Sequence, residues 1–382
     1  MKYEDDKRIV MTLDAGGTNF VFAAIQGNKQ IVNEIRLDSN GDDLERSLNN
    51  ILTGFTLIKE KLNCEPAAIS FGFPGPADYP NGVLGNLGNL TGYRGGVALG
   101  PMLTEKFGLP TFINNDGDLY AYGEDIAGLL PAINEKLESV GNPKRYNNLL
   151  GITLGTGLGA GIVRNGEMYL GDNSIGGEIC LFRNKLSPNE SVEEHASIRG
   201  VKRVYCELTG MKKEDAPSPK EIYEIAIGEL KGNKEAAIDA YKQMAQVVGD
   251  AISNAITLLD GLVVMGGGLT GASSLFMPFI IEEMKSSFRI SNREQTNRLL
   301  ADVYNLDDED DLKKFIKSQA KEIIVPLTNK KVIYDPSRKI GIGISRLGAS
   351  KSISIGAYAF ALKKLDEKHA ITNIVTTESS LI

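Results

Sequence analysis

The sequence predicts an α/β protein in which one supersecondary unit occurs twice. Three observations carry this. The segments "RIVMTLDAGGTNFVFAAIQGNKQIVNEIRL" and "NLLGITLGTGLGAGIVRNGEMYLGDN" share one pattern: an apolar strand, a Gly/Thr-containing turn, a second strand, an Asn/Gly turn and a third strand. Between and after them, buried-strand patterns are interspersed with amphipathic helical ones. The 382 residues suggest two domains, or one large domain with insertions.

In chain order, the first meander is followed by "LERSLNNILTGFTLIKEKL", whose apolar residues recur at three- and four-residue spacing and predict a helix. "AAISFGFPGPADYPNGVL" reads as a buried strand ending in a Pro-Gly-Pro turn, and "LPTFINNDGDLYAYGEDIAGLL" as a strand, a polar corner and a helix. After the second meander comes a long helical region at about 219–259. It leads into "DGLVVMGGGLTGA", a strand feeding a glycine turn and a helix N-terminus. Segments 130–148 and 290–350 read as insertions, and the acidic run "DDEDD" (307–311) in the second as a solvated face or a helix start.

Composition excludes several classes. The chain is 42% hydrophobic and 24% charged, which is ordinary for a globular protein, and its net charge of −7 argues against a nucleic-acid-binding surface. No apolar run reaches the ~18 residues a membrane span requires. "MKYEDDKRIV" lacks the apolar core of a signal peptide, and Cys64, Cys180 and Cys206 are odd in number and far apart, so a cytoplasmic protein with reduced thiols is expected.

The glycine turns are the first chemical signal. Glycine costs order within a strand, yet residues 155, 157, 159 and 161 of "LGITLGTGLGAGIV" are all glycine. Two Gly/Thr hairpins can present backbone N–H groups to a polyphosphate that side chains would keep away.

Together these segments resemble the ROK family of sugar kinases and sugar-sensing repressors, within the actin/hexokinase/Hsp70 superfamily. "LDAGGTNFVFAAI" resembles its first phosphate-binding hairpin and "ITLGTGLGAGIVRNG" the second. "FGFPGPADYPNGVLGNLGNLTGY" resembles the sugar-side loop, "NNDGD" the catalytic corner, "VVMGGGL" the adenosine motif, and "SISIGAYAFAL" (352–362) the returning C-terminal helix. The resemblance spans nearly the whole chain. It implies a two-lobed ribonuclease-H-like, actin-like ATPase fold with a duplicated β-meander and an interdomain cleft. The expected lobes are 1–116, with 352–382 packing back, and 117–351.

The implied activity is transfer of the ATP γ-phosphate to a sugar hydroxyl, the 6-OH of a glucose-like hexose, with lobe closure excluding water. By resemblance Asp116 is the catalytic base, with helix capping as its competing role. Asp118 is a nearby decoy. Asn89, Asn115, Glu178 and Glu193 are the sugar-binding residues. Glu193 is preferred to Glu194 because Ser191 and Glu194 have capping-box spacing. Asp14, Gly16, Gly17, Thr18, Asn19, Gly155, Thr156, Gly157, Gly266, Gly267 and Gly268 are the nucleotide-binding set, with Mg²⁺ bound through ATP and Asp14 beside it.

The chain also departs from the pattern. Leu181 stands where the family usually has a histidine, and the cysteine-rich zinc motif is absent, so no structural zinc is expected. His195 reads as an ordinary helix residue. Leu181 keeps N-acetylglucosamine, N-acetylmannosamine, fructose or mannose open as acceptors. A non-catalytic sugar-binding sensor is the remaining alternative. The first strand starts by about residue 8, which leaves no room for the helix-turn-helix of the repressors, so neither nucleic acid nor membrane is an expected partner; a homodimer is expected from the resemblance alone.

Overall fold

The computed structural model describes residues 2–87, 90–291 and 294–379, with side chains through residue 370. In the first meander, β1 (Val10–Ala15) pairs antiparallel with β2 (Asn19–Gln26), which also carries β3 (Lys29–Gln30) and β4 (Ile35–Asp38). Next, β5 (Ala68–Gly72) adds parallel to β1, the short pair β6 (Ala77–Asp78) and β7 (Val83–Leu84) follows, and β8 (Thr111–Asn114) adds parallel to β5. The sheet order is β3-β2-β1-β5-β8, with β4 on β2. In α1 (Leu44–Glu60), Ile51, Phe55 and Ile58 form the buried stripe; Phe22 and Phe55 meet edge to face at 5.1 Å between centroids. Gly54 lies on the same face, where a Cβ would collide with the Phe22 ring.

Two further helices, α2 (Leu99–Phe107) and α3 (Asp116–Ala127), flank β8 in sequence. The C-terminal helix Ala349–Ser379 returns to this unit. It buries Tyr358, Ala361 and Leu362 with Val10, Ile25 and Ala68, and the Tyr358 hydroxyl accepts the Gly27 N–H at 3.0 Å. It lies close along α3: a Cβ at Gly123 would strike the Ser352 backbone, and one at Gly356 the Leu119 backbone. In the buried contact between the two helices, Ser352 donates to Glu124 at 2.7 Å. The contact-defined units are therefore Met1–Gly128 with Met168–Gly176 and Leu347–Ile382, and Leu129–Glu167 with Gly177–Arg346. The division falls at 128 rather than the expected 116 because α3 packs on the C-terminal helix.

The second unit begins with α4 (Leu129–Ser139) and the second meander, β9 (Asn148–Leu154), β10 (Leu158–Arg164) and β11 (Glu167–Met168). The meanders match in detail: Gly27-Asn28 and Asn165-Gly166 each place two consecutive residues at positive φ, as a two-residue hairpin turn of the favoured hand requires. The helices α5 (Ile198–Thr209), α6 (Pro219–Ile227) and α7 (Lys234–Leu259) follow, so the helical region expected at 219–259 is two helices broken by Gly228 at φ +87°. Then come β12 (Leu262–Gly266) and α8 (Ser273–Met284).

Segment 290–350 is not simply an insertion. Although β13 (Ser287–Ile290) and β14 (Glu294–Asn297) form a separate hairpin, β15 (Asp302–Asn305) joins the main sheet. After α9 (Glu309–Ile316), β16 (Lys321–Ile324) and β17 (Lys331–Tyr334) make a second, exposed hairpin, and β18 (Lys339–Ile344) returns to the main sheet. The order is β11-β10-β9-β12-β18-β15, with β9, β12, β18 and β15 parallel. The acidic run is a helix start: Asp308 caps α9 by accepting from Asp310 and Asp311 N–H.

Candidate active site

In the first unit the C-terminal ends of three parallel strands bring two carboxylates together. Asp14 on β1 pairs in register with Gly72 on β5, and Gly72 with Asn114 on β8. One more peptide leads through Asn115 into α3. A Cβ at Gly72 would lie 3.2 Å from both Cα and Cβ of Asp116, so glycine there lets the first turn of α3 settle against the strand end. Asn115, not Asp116, caps α3: its side-chain oxygen accepts the Gly117 N–H at 2.7 Å. Asp116 is thus the first helical residue and solvent-exposed, whereas Asp118 is buried. The Asn115 amide nitrogen also reaches the Tyr79 hydroxyl at 3.4 Å, so Asn115 fixes the corner as well as lining it. Asn89 lies outside the described residues.

The turn after β1 closes with Gly16 N–H donating to Asn19 C=O at 3.0 Å, and Gly17 and Thr18 are exposed. Buried Ser39 holds the turn from behind: its hydroxyl donates to Gly17 C=O at 2.6 Å and its N–H to Thr18 C=O at 2.9 Å. Sequence reasoning missed Ser39, which carries no motif of its own.

In the second unit the corresponding turn closes with Gly155 N–H donating to Gly157 C=O at 2.9 Å, and Thr156 is exposed. Glu193 belongs to this turn. One carboxylate oxygen accepts the Leu158 N–H at 3.0 Å, the other pairs with Arg199 at 2.7 Å, and a Cβ on Gly157 would run into it. The third glycine cluster is also here: Gly267, at φ +93°, abuts the Leu154 backbone at the end of β9. Gly155, Thr156, Gly157, Glu193 and Gly266, Gly267 and Gly268 are therefore one neighbourhood.

The expected capping box does not form. Ser191 makes no side-chain cap, and Glu194 pairs with Arg199 at 2.8 Å, which holds its carboxyl below the usual range. Glu178 is exposed and accepts from the Cys180 thiol at 3.3 Å; burial first, then this carboxylate, pushes the thiol up to about 12. Leu181 is 75% exposed and packs into nothing that would replace a histidine. His195 closes a short 3₁₀ turn rather than lying in a helix. It is buried, with Nδ1 2.7 Å from the Asn184 amide nitrogen and 3.3 Å from Arg203; burial and then Arg203 lower its pKa. Its role is structural.

The glycines divide into two groups. Gly157 and Gly267 are required by crowding or φ. Gly17, Gly155 and Gly268 are not: a Cβ on any of them would meet no protein atom within 4 Å, and none has positive φ. Glycine at these positions keeps space open outside the backbone, which suits close approach of a phosphate chain. Asp14 lies half-buried beside the first turn. Among the described residues no group of three or more His, Cys, Asp or Glu side chains could itself hold a metal ion.

A model of the ROK family matches residues 10–306. The chain belongs to the ROK family. Within it, a glucokinase structure from Parabacteroides distasonis is 50% identical, covers 95% of this chain and 99% of its own, and superimposes with a TM-score of 0.85. The N-acetyl-D-glucosamine kinase of Photobacterium profundum is 26% identical over 69% of this chain and 85% of its own. The glucokinase of Thermotoga maritima is 24% identical over 72% and 88%. The structural neighbours share the actin-like ATPase fold expected for a ROK protein. No helix among the described residues is long and apolar enough to cross a membrane.

Proposed function

We propose that this ROK-family sugar kinase transfers the γ-phosphate of ATP to the 6-hydroxyl of glucose or a closely similar hexose. The observation that carries the reading is the strand-end row of Asp14, Gly72 and Asn114, with exposed Asp116 against Gly72. Phosphoryl transfer needs an oriented hydroxyl, a base to take its proton and neutralised phosphate charge. Asp116 takes the proton. Its position is rigid because Asn115 caps the helix that carries it. Backbone N–H groups beside Gly17, Gly155 and Gly268 hold phosphate oxygens in space that any side chain would occupy. Glu178 and Glu193 accept from sugar hydroxyls, and Arg199 pairs with Glu193 and holds it in place. Mg²⁺ would be held chiefly through the nucleotide's phosphates, with Asp14 as the residue beside it, and would offset their negative charge. Glucose is the preferred acceptor because the relative at 50% identity is named a glucokinase. The N-acetylglucosamine kinases among the relatives make that sugar the second reading.

The test is ADP release with ATP, Mg²⁺ and a panel of hexoses and N-acetylhexosamines. Wild type should show sugar-dependent release with glucose foremost. Asp116→Asn should lose at least about a hundredfold in kcat, the usual share of a positioned base, with an unchanged melting temperature. Absence of sugar-dependent release across the panel would falsify the kinase reading. Full activity in Asp116→Asn would remove Asp116 as base.

A further inference from the structure

The second unit contains a cavity of about 560 Å³ at the end of its sheet opposite the glycine turns. It is lined where the parallel strands begin: Asn148 starts β9, Asp260 immediately precedes the residue leading into β12, and Lys339 starts β18. The turns 155–157 and 266–268 follow the other ends of β9 and β12, about 20 Å away at strand rise. The cavity therefore belongs to no part of the site described above.

Its charge runs against that of the molecule. The chain carries −7, but this cavity is lined by Lys144, Arg145, Arg298, Arg338 and Lys339 against the single carboxylate of Asp260. Three of the cations are partly committed. Lys339 donates to the carbonyls of Lys314, Phe315 and Lys317; Arg298 donates to Asn254 and lies 3.8 Å from Asp250; Arg145 donates to two carbonyls and lies 3.6 Å from Glu138. Lys144 and Arg338 are exposed, and among the described residues neither has a carboxylate partner within 4 Å. Arg298 is only 16% exposed, so part of the positive charge is held away from water, where it acts more strongly on an anion.

The floor of the cavity is tightly set. Asp260 ends α7 as its left-handed cap at φ +50°, its N–H donating to the Ile256 C=O at 2.9 Å. The Asn148 amide donates to the carbonyls of Leu259 and Asp260, while its oxygen accepts the Asn165 N–H. A volume of this size is that of a small-molecule site, with a rigid floor and convergent cations around apolar Ile256, Leu299 and Ile340.

We propose that this cavity is a second ligand site, distinct from the phosphotransfer site, that takes a small phosphorylated organic molecule. The phosphate sits between Arg338 and Lys144, with the half-buried Arg298 charge behind it. The organic part lies on the apolar wall. This goes beyond the kinase reading and does not depend on it.

Calorimetric titration of the full chain with inorganic pyrophosphate, in the presence of saturating AMPPNP and Mg²⁺ to fill the nucleotide site, tests the proposal. Wild type should bind one equivalent. Lys144→Glu combined with Arg338→Glu should weaken that binding at least tenfold, while Lys144→Gln/Arg338→Gln should weaken it less. Both variants should keep the wild-type melting temperature and sugar-dependent turnover, since neither residue belongs to the catalytic machinery. No binding by wild type, or equal binding by the doubly acidic variant, overturns the proposal. So does a parallel titration in which an acidic peptide binds and pyrophosphate does not, which would make the surface a protein-docking patch.

Discussion

Gly17 and Gly267 look alike in the sequence and differ in kind. At Gly17 a methyl group would meet no protein atom; at Gly267 it would enter the Leu154 backbone from a left-handed φ. Gly17→Ala and Gly155→Ala should therefore change stability by less than about 1 kcal/mol and instead raise the KM for ATP. Gly267→Ala should cost more than about 2 kcal/mol, from strain and overpacking together. Thermal melts beside ATP saturation curves separate the two outcomes; equal destabilisation at Gly17 and Gly267 would refute the distinction. Glu193 combines both kinds of role. It completes the second turn through the Leu158 N–H and is a proposed sugar contact. Glu193→Gln keeps the shape and one acceptor, so it should lose about 1 kcal/mol or less in stability but raise the sugar KM at least tenfold.

At the scale of elements, α3 is the piece on which stability and chemistry meet. It carries Asp116 at its start, the close packing against the C-terminal helix in its middle, and Asp125 near its end. Burial raises the Asp125 carboxyl to about 6, a shift that Lys2 only partly offsets. The folded state thus holds a proton that the unfolded chain releases near pH 4. The contribution is fully present below that pH and lost as pH rises to about 6, so at pH 7 the charged, buried group costs on the order of 2–3 kcal/mol. Asp125→Asn should raise the melting temperature at pH 7, and the gain should vanish near pH 4. His195 works in the opposite direction. Its lowered pKa means the unfolded chain takes up the proton first, so stability falls as pH drops below about 6.5. In α1, Phe55→Ala should cost about 3–5 kcal/mol by removing the ring that packs against both Phe22 and Phe71, measurable by denaturant titration.

At the scale of the whole molecule, the duplicated meander was readable because its information is local: apolar strands, glycine turns and Asn/Gly hairpins repeat within about thirty residues. The same holds for the corner at Asn115 and Asp116. Its capping residue was misassigned by one position because Asn and Asp are equally good caps and only backbone φ and ψ decide. What was not readable was long-range. "DVYN" and "KIGIGI" are short and separated by an acidic helix, and nothing in either string says that it completes a parallel sheet with β12. Ser39 acts through the turn it touches twenty-two residues earlier, which leaves no trace at its own position, and Arg199 through side-chain geometry that spacing alone does not reveal. The Ser191/Glu194 spacing suggested a box that Arg199 pre-empts.

The chain leaves its first unit at residue 128, adds only Met168–Gly176 to it on the way, and completes it from 347 onward. On a ribosome, the apolar patch of Val10, Ile25 and Ala68 is made at the outset, but the helix that covers it emerges only after more than two hundred further residues. At ordinary elongation rates of about 5–20 residues per second, that patch stays uncovered for some ten seconds or more. The second unit, Leu129–Glu167 and Gly177–Arg346, is made in full before the returning helix and has time to fold before the first is complete. Arrest of translation before residue 347 should leave nascent chains that bind a hydrophobic chaperone through the β1–β5 face, and appending Leu347–Ile382 should release them.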